Sequence, residues 1–208
     1  GIDIESNKIG SYQVLEHTCS AKDAILKTSS PNLDIIASHI DLVAIEIELV
    51  DKERREYMLK ESLAKIKNEY DYIIIDCAPS LGLITLNSLV AADSVIIPIQ
   101  CEYFALEGLG KLLNTVKSVQ KIHNKDLDIE GLLLTMFDSR LRLSNQVVDE
   151  VQKHFSTMVF DTIIRRNTRL GEAPSYGESI ISYDATSKGA VNYLNLANEL
   201  LKKNQYYG

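Results

Sequence analysis

The segment that decides the fold is Tyr72-Ile73-Ile74-Ile75-Asp76-Cys77-Ala78-Pro79-Ser80-Leu81-Gly82. Its apolar start predicts a β-strand buried on both faces, which is typical of a parallel sheet covered by helices. Asp76 then lies at the carboxyl end of the strand, where open α/β sheets bind ligands. A carboxylate there can hold magnesium or orient a water molecule beside phosphates. A strand that simply ends in a turn and exposes an acid explains the same residues, so this segment alone leaves both interpretations open.

Strand and helix patterns alternate along the chain. Apolar runs predict strands at residues 33–38, 72–75, 94–100, 129–137 and 159–164. Helical spacing predicts helices at residues 21–27, 42–49, 51–69, 81–91, 106–119, 144–155 and 184–201. Asp51 and Ser144 are the predicted N-caps of two of them. We therefore expect residues 1–208 to form a single domain of the α/β class, with a doubly wound, mostly parallel sheet flanked by helices.

The composition is that of a globular protein, with 45% hydrophobic and 25% charged residues. No apolar run approaches the roughly 20 residues that a membrane-spanning helix needs. The three cysteines, Cys19, Cys77 and Cys101, are too far apart in sequence to resemble a metal site. Because Cys77 and Cys101 follow predicted strands, we expect both to be buried free thiols in a reducing cytoplasm.

Charge gives two opposing indications about nucleic acid. The net charge of −7 argues mildly against a protein that binds nucleic acid over its whole surface. Five of the seven arginines nevertheless fall within thirty residues: Arg140, Arg142, Arg165, Arg166 and Arg169. Clustered arginine suits contact with phosphates, although an ordinary solvated surface also explains such charges.

Several segments together resemble the ParA/Soj partition ATPases, which are deviant-Walker, MinD-like P-loop proteins. Residues 72–82 resemble the family's Walker B segment. The other matching segments are residues 91–94, 98–103, 106–108, 133–138 and 166–175. Each motif is weak alone, but their order and spacing over about residues 1–202 identify the chain as a member of this family. Ala78 departs from the family's usual second proline, and Arg165 stands where the family often has proline.

The family's phosphate-binding loop does not occur in these residues, since no glycine-rich run with Lys-Thr is present. In the family that loop and its strand precede the position of Gly1. The resemblance therefore implies a P-loop NTPase-like domain without its first strand and loop, with neighbouring apolar faces exposed and no ATPase activity of its own. We also expect such a chain to be marginally stable or to associate through the gap.

The resemblance implies specific roles. Asp76 is the expected catalytic Walker B carboxylate, acting on Mg²⁺ through water. Thr135 and Met136, with Arg166 and Asn167, match positions that flank the adenine of ATP. Ordinary strand-end loops are the alternative for those four residues.

Two further positions match family arginines. Arg140 and Arg169 match those that contact DNA without sequence preference, through its phosphates. Arg142 and Arg166 either extend this patch or are plain solvated charge.

The function implied is that of a bacterial, cytoplasmic and nucleoid-associated ATPase for chromosome or plasmid partitioning. Its ATP-bound homodimer would hold nonspecific DNA, and a ParB/Spo0J-like protein would stimulate hydrolysis. A non-catalytic fragment that serves as an interaction module is the main alternative. A MinD-like membrane regulator is another, but residues 200–207 are too short and too polar for the amphipathic basic helix it requires.

Overall fold

The computed structural model describes residues 2–3, 8–77 and 82–205. The chain divides into two compact units. Unit 1 comprises residues 1–94 and 115–127, and unit 2 comprises residues 95–114 and 128–208.

The described residues form nine α-helices and four β-strands, and these alternate strictly only over residues 83–155. The helices are α1 (Ser11–Glu16), α2 (Ile45–Glu48), α3 (Met58–Leu63), α4 (Leu83–Ala91), α5 (Ala105–Ile122), α6 (Arg142–Phe155), α7 (Thr168–Glu172), α8 (Ile180–Tyr183) and α9 (Lys188–Gln205). The strands are β1 (Ile25–Lys27), β2 (Asp34–Ile36), β3 (Ser94–Gln100) and β4 (Asp128–Thr135). Short 3₁₀ helices occur at Ile40–Ala44, Arg55–Tyr57, Lys67–Glu69 and Ala173–Tyr176. Within the described ranges, none of these helices is long and apolar enough to cross a membrane.

A β-hairpin follows α1 in unit 1, so the helix predicted at residues 21–27 is wrong. β1 pairs antiparallel with β2, and Lys27 Nζ lies 2.7 Å from Asp34 Oδ2 across the pair. The connecting turn places Asn32 at a φ of 59°, in the left-handed region that asparagine tolerates. The Ser-Pro-Asn sequence before Leu33 is a turn signal that favours this hairpin.

The helix predicted at residues 51–69 is interrupted. Arg54 adopts a φ of 57°, which no helix residue can hold, and only Met58–Leu63 is α-helical. Asp51 therefore caps no helix in this part of the chain. The first turn of α3 instead receives a cap from another helix, because Leu59 N–H donates to Asn87 Oδ1 of α4 at 3.1 Å.

Residues 72–77 form no regular strand, which corrects the prediction of a strand buried on both faces. Ile74 exposes 87% of its surface and Tyr72 exposes 46%. A strand exists only where a neighbouring backbone completes its ladder, and within the described residues this segment has no ladder. The expected exposure of apolar side chains is therefore found on this segment.

Unit 2 is built on the parallel pair of β3 and β4. A third extended segment follows β4 in parallel, with bridges between Leu132 and Val159 and between Phe137 and Arg165. Ile164 N–H donates to the Leu134 carbonyl at 2.9 Å, but the N–H groups of Asp161 and Thr162 donate to the Glu199 carboxylate instead of to β4. Residues 159–164 therefore form bridges rather than the continuous strand that the sequence predicts.

The two faces of β4 contribute to different cores, as the period of a strand requires. Leu132 and Leu134 are fully buried in a cluster with α6 residues such as Val151. Leu133 packs in a second cluster with Leu196 of α9. Helices therefore cover both faces of β4 within unit 2.

Two smaller predictions also need correction. Ser144 lies inside α6, buried, and donates to the Cys101 carbonyl oxygen at 3.1 Å, while the N-cap position belongs to Leu141. Cys101 is buried as expected, but Cys77 is exposed because the segment around it is not covered.

Candidate functional site

The carboxyl end of β4 positions the first pair of predicted nucleotide-binding residues. Thr135 is the last residue of β4, and its Oγ1 donates to the Ile99 carbonyl oxygen at 3.3 Å. Met136 follows with a φ of 55° and a partly exposed side chain. A non-glycine residue in this region is uncommon and is often found at functional sites. The strand thus ends in a backbone turn that projects Met136 outward.

The second pair lies beside the first. Phe137 N–H donates to the Ile164 carbonyl at 3.2 Å, and Arg166 N–H donates to the Phe137 carbonyl at 2.9 Å. Parallel pairing therefore brings Met136 and Arg166 to the same end of the sheet in unit 2, as their places at neighbouring strand ends predict.

Two of these side chains already have internal partners. Arg166 Nη2 lies 2.8 Å from Glu102 Oε1, in an exposed ion pair. Asn167 caps α7, since its Oδ1 accepts from Arg169 N–H at 2.9 Å. A nucleotide base would have to use the remaining donors and acceptors of these groups.

Arg140 lies in the loop that follows β4. Its guanidinium grips Asp138 through both oxygens, with Nε to Oδ1 at 2.9 Å and Nη2 to Oδ2 at 2.7 Å. The Arg140 backbone N–H also donates to Asp138 Oδ1 at 3.0 Å. These bonds lower the pKa of Asp138 to about 2, so its carboxylate stays charged at any physiological pH.

Arg169 lies in α7 and has more dispersed partners. Its Nη1 is 2.8 Å from Glu172 Oε2, and its Nε is 3.7 Å from Asp184 Oδ2. The hydrogen bond that Arg169 donates to the Glu172 carboxylate is the main reason that the pKa of Arg169 is raised. Tyr183 Oη donates to the same Glu172 oxygen at 3.2 Å.

Asp76 belongs to unit 1 and lies on the exposed segment after Ile75. The predicted turn that follows it, residues 78–81, falls outside the described residues, and Gly82 is the N-cap residue of α4. No group of three or more His, Cys, Asp or Glu side chains that could hold a metal occurs among the residues the structure describes. Asp76 is therefore a single carboxylate donor on this segment.

Sequence reasoning missed the acidic partners of the arginines. Glu172 follows Arg169 by three residues on a helix, a spacing at which side chains meet, so this pair had a readable signal. Asp138 precedes Arg140 by two residues in a loop, where no such rule applies. A cavity of about 280 Å³ was also missed, and it is lined by Arg165, Thr186, Lys188, Val191 and Asn192.

Comparison with known proteins defines the class. A family model described as an AAA domain matches residues 1–129. The chain is 35% identical, with a TM-score of 0.82, to the solved structure of a protein described as cobyrinic acid a,c-diamide synthase from Mycobacterium smegmatis with bound ATP analogue and magnesium. That match covers 97% of this chain and 75% of the other. The predicted fold class, a P-loop NTPase-like α/β fold with a parallel sheet, is confirmed.

Two partition proteins are more similar in sequence. The chain is 55% identical to the sporulation initiation inhibitor protein Soj of Bacillus subtilis, over 91% of this chain and 75% of that protein. It is 47% identical to the chromosome partitioning protein ParA of Myxococcus xanthus, over 98% of this chain and 72% of that protein. The chain belongs to the ParA/Soj family of partition ATPases. The family resemblance and the assignment as a partitioning ATPase are thereby confirmed.

Proposed function

We propose that this partition ATPase acts as an ATP-gated homodimer that holds DNA without sequence preference, and that a ParB-like partner stimulates hydrolysis and release. Residues 1–208 would belong to one ATPase domain that works in the bacterial cytoplasm, at the nucleoid. The observation that supports DNA contact is the placement of Arg140, whose side chain is 86% exposed in the loop after β4.

The charge of the whole chain does not oppose this proposal. A net charge of −7 disfavours broad attraction to DNA, but a local arginine patch doubled by the symmetry of a dimer attracts phosphates at short range. Arg140 and Arg169 supply planar donors that match phosphate oxygens. Binding of this type weakens steeply as salt rises.

ATP and Mg²⁺ are the proposed cofactors. Magnesium in phosphoryl-transfer enzymes is held by one or two carboxylates together with water and substrate phosphates. Asp76 fits such a role, because its carboxylate is exposed on the segment after Ile75. When bound, the metal ion would neutralise charge on the phosphates. Thr135, Met136, Arg166 and Asn167 are the residues of unit 2 that we propose lie beside the base.

The DNA proposal is tested with a chimera that carries the N-terminal residues of the Bacillus subtilis relative ahead of Gly1. Retention of nonspecific duplex DNA is measured with ATP and Mg²⁺ present. Arg140→Ala combined with Arg169→Ala should abolish retention and leave nucleotide binding intact. Arg54→Ala is the matched control, because Arg54 also forms an ion pair with a carboxylate, Glu61 at 2.9 Å, but lies in unit 1. Unchanged retention in the double variant would rule these arginines out.

Catalysis is tested separately. Asp76→Asn in the same chimera should abolish ATP turnover, since the amide cannot supply the carboxylate charge. A chimera that hydrolyses no ATP would favour the non-catalytic interaction module.

A further inference from the structure

Both arginines proposed to contact DNA are held by carboxylates of the same chain. Arg140 makes a two-pronged pair with Asp138, at 2.9 Å and 2.7 Å. Arg169 lies against Glu172 at 2.8 Å and near Asp184 at 3.7 Å. Each of these cations is therefore largely neutralised before any DNA arrives.

The geometry of the Asp138 pair is the one that phosphate would use. Arg fits carboxylate and phosphate in the same forked arrangement, with two parallel N–H donors aimed at two oxygens. The Asp138 side chain is only 12% exposed, whereas the Arg140 side chain is 86% exposed. The Asp138 carboxylate thus occupies the Nε edge of the Arg140 guanidinium, whose other donors are exposed. A DNA phosphate must either displace Asp138 from this edge or bind the remaining Arg140 donors close to the negative charge of Asp138.

We propose that Asp138 competes with DNA phosphate for the Arg140 guanidinium. The ion pair within the chain thereby sets both the affinity and the salt dependence of DNA binding. Glu172 does the same for Arg169 to a lesser degree. Asp184 remains near Arg169 when Glu172 is replaced by a neutral residue. One substitution therefore frees Arg169 less completely than the loss of the Asp138 charge frees Arg140. This inference rests on the proposed DNA-binding function.

Counterion release gives the expected size of the effect. Each additional phosphate neutralised on duplex DNA steepens the slope of log K against log salt concentration by about 0.9. Removing the Asp138 charge changes the pair from neutral to singly positive. If the variant and the wild type bind equally at 1 M salt, one extra phosphate contact makes the variant bind roughly eightfold more tightly at 0.1 M salt, for each chain that touches DNA.

The decisive variant is Asp138→Asn. Asparagine keeps an oxygen that can accept the Arg140 backbone N–H, so the loop conformation is preserved while the charge is lost. Nonspecific duplex binding of the ATP-bound chimera is measured between 0.05 and 0.3 M salt, after circular dichroism shows the wild-type spectrum. For each chain that contacts DNA, we expect binding about eightfold tighter than that of the wild type at about 0.1 M salt. The slope of log K against log salt concentration should be steeper by about 0.9 for each such chain. Glu172→Gln should give a smaller change of the same sign.

The matched control is Glu150→Gln, which also removes one carboxylate charge from unit 2. Glu150 lies on α6 with His154 and Lys153 as partners, eight residues beyond Arg142 and so roughly 12 Å along the helix. Its binding should match that of the wild type.

The possible outcomes distinguish failure of the inference about Asp138 from failure of the proposed DNA-binding function. If the wild type binds DNA and Asp138→Asn binds equally or more weakly than Glu150→Gln, Asp138 is no competitor and the inference fails alone. If no variant binds DNA, including Asp138→Asn, the proposed DNA function fails and this inference fails with it. Tighter binding by Asp138→Asn that disappears when Arg140→Ala is added supports both.

Discussion

Asn87 offers the sharpest test of how unit 1 is held together. This residue of α4 is fully buried, and its side chain serves three separate backbone groups. Its Oδ1 accepts from Leu59 N–H at 3.1 Å, and its Nδ2 donates to the carbonyls of Arg55 at 2.8 Å and Leu83 at 3.1 Å. One amide therefore caps α3 and ties the preceding 3₁₀ turn to α4.

The expected cost of Asn87→Ala follows from these bonds. The substitution removes the partner of the Leu59 N–H and one partner of the Arg55 carbonyl. A buried polar group left without a hydrogen bond costs about 1–3 kcal/mol. We expect the free energy of unfolding of unit 1 to fall by about 2–4 kcal/mol, a large part of the roughly 5–15 kcal/mol typical of a domain.

Asn87→Asp refines the test through pH. Aspartate keeps the oxygen for Leu59 N–H but places a carboxylate against the Arg55 carbonyl oxygen. Burial and this contact should raise its pKa above the unfolded value near 4. The variant should therefore be most stable below about pH 4 and lose stability as pH rises towards 7, because the unfolded state then ionises more readily.

The assay is urea denaturation followed by circular dichroism, together with backbone hydrogen exchange at the first turn of α3. Asn204→Ala is the matched control, because its amide makes a single bond to the Leu200 carbonyl of the same helix, at 3.1 Å. The control should change stability by less than about 0.5 kcal/mol. Equal losses for Asn87→Ala and Asn204→Ala, or faster exchange confined to unit 2, would refute the reasoning.

Further predictions concern packing, acid titration and thiol chemistry. Gly131→Ala should destabilise the protein by about 1–3 kcal/mol, because a Cβ there would lie 2.5 Å from an aromatic carbon of Phe160. Gly110→Ala should stabilise α5 by about 0.5–1 kcal/mol, because a Cβ there meets no atom within 4 Å. Thermal melts compare the two variants. The folded-state pKa of Asp138, about 2, lies below the value in the unfolded chain. The Asp138 carboxylate therefore stabilises the folded state above about pH 4, and this contribution is lost as pH falls towards 2. A carboxyl NMR titration that places the pKa of Asp138 near 4 would contradict its pairing with Arg140. Iodoacetamide should label Cys77 long before Cys101, whose thiol is buried and has a pKa raised to about 11, and mass spectrometry of timed digests would expose the reverse order.

The sequence predicted unit 2 more accurately than unit 1, and the reason is physical. The apolar runs of β3 and β4 find partners in the chain, so periodicity and structure agree there. In unit 1, the run before Asp76 has the same composition but no ladder among the described residues, and strand structure requires that non-local pairing. Arg54, in the left-handed region, interrupts the helix predicted at residues 51–69. Asn32, in the same region, belongs to the turn of the hairpin that overturns the helix predicted at residues 21–27, and only this turn is signalled by its neighbours.

The candidate site was predictable as a set of positions but not as a set of contacts. Parallel strands end at the same edge of a sheet, so the proximity of Met136 and Arg166 followed from the order of elements. The carboxylates opposite Arg140 and Arg166 depend on loop geometry that a one-dimensional pattern does not encode. The roles of Asp76, Thr135, Met136, Arg166 and Asn167, and of Arg140 and Arg169, stay predictions.

β4 also has a consequence for how this sequence can vary. Its alternate residues anchor two separate clusters, and Gly131 leaves no room for a methyl group beside Phe160. A deletion of one residue within β4 would exchange the side chains offered to α6 and α9 simultaneously, so both cores would be lost in one step. A deep mutational scan should therefore find residues 131–134 among the least tolerant positions of the protein, with insertions accepted only beyond the ends of the strand.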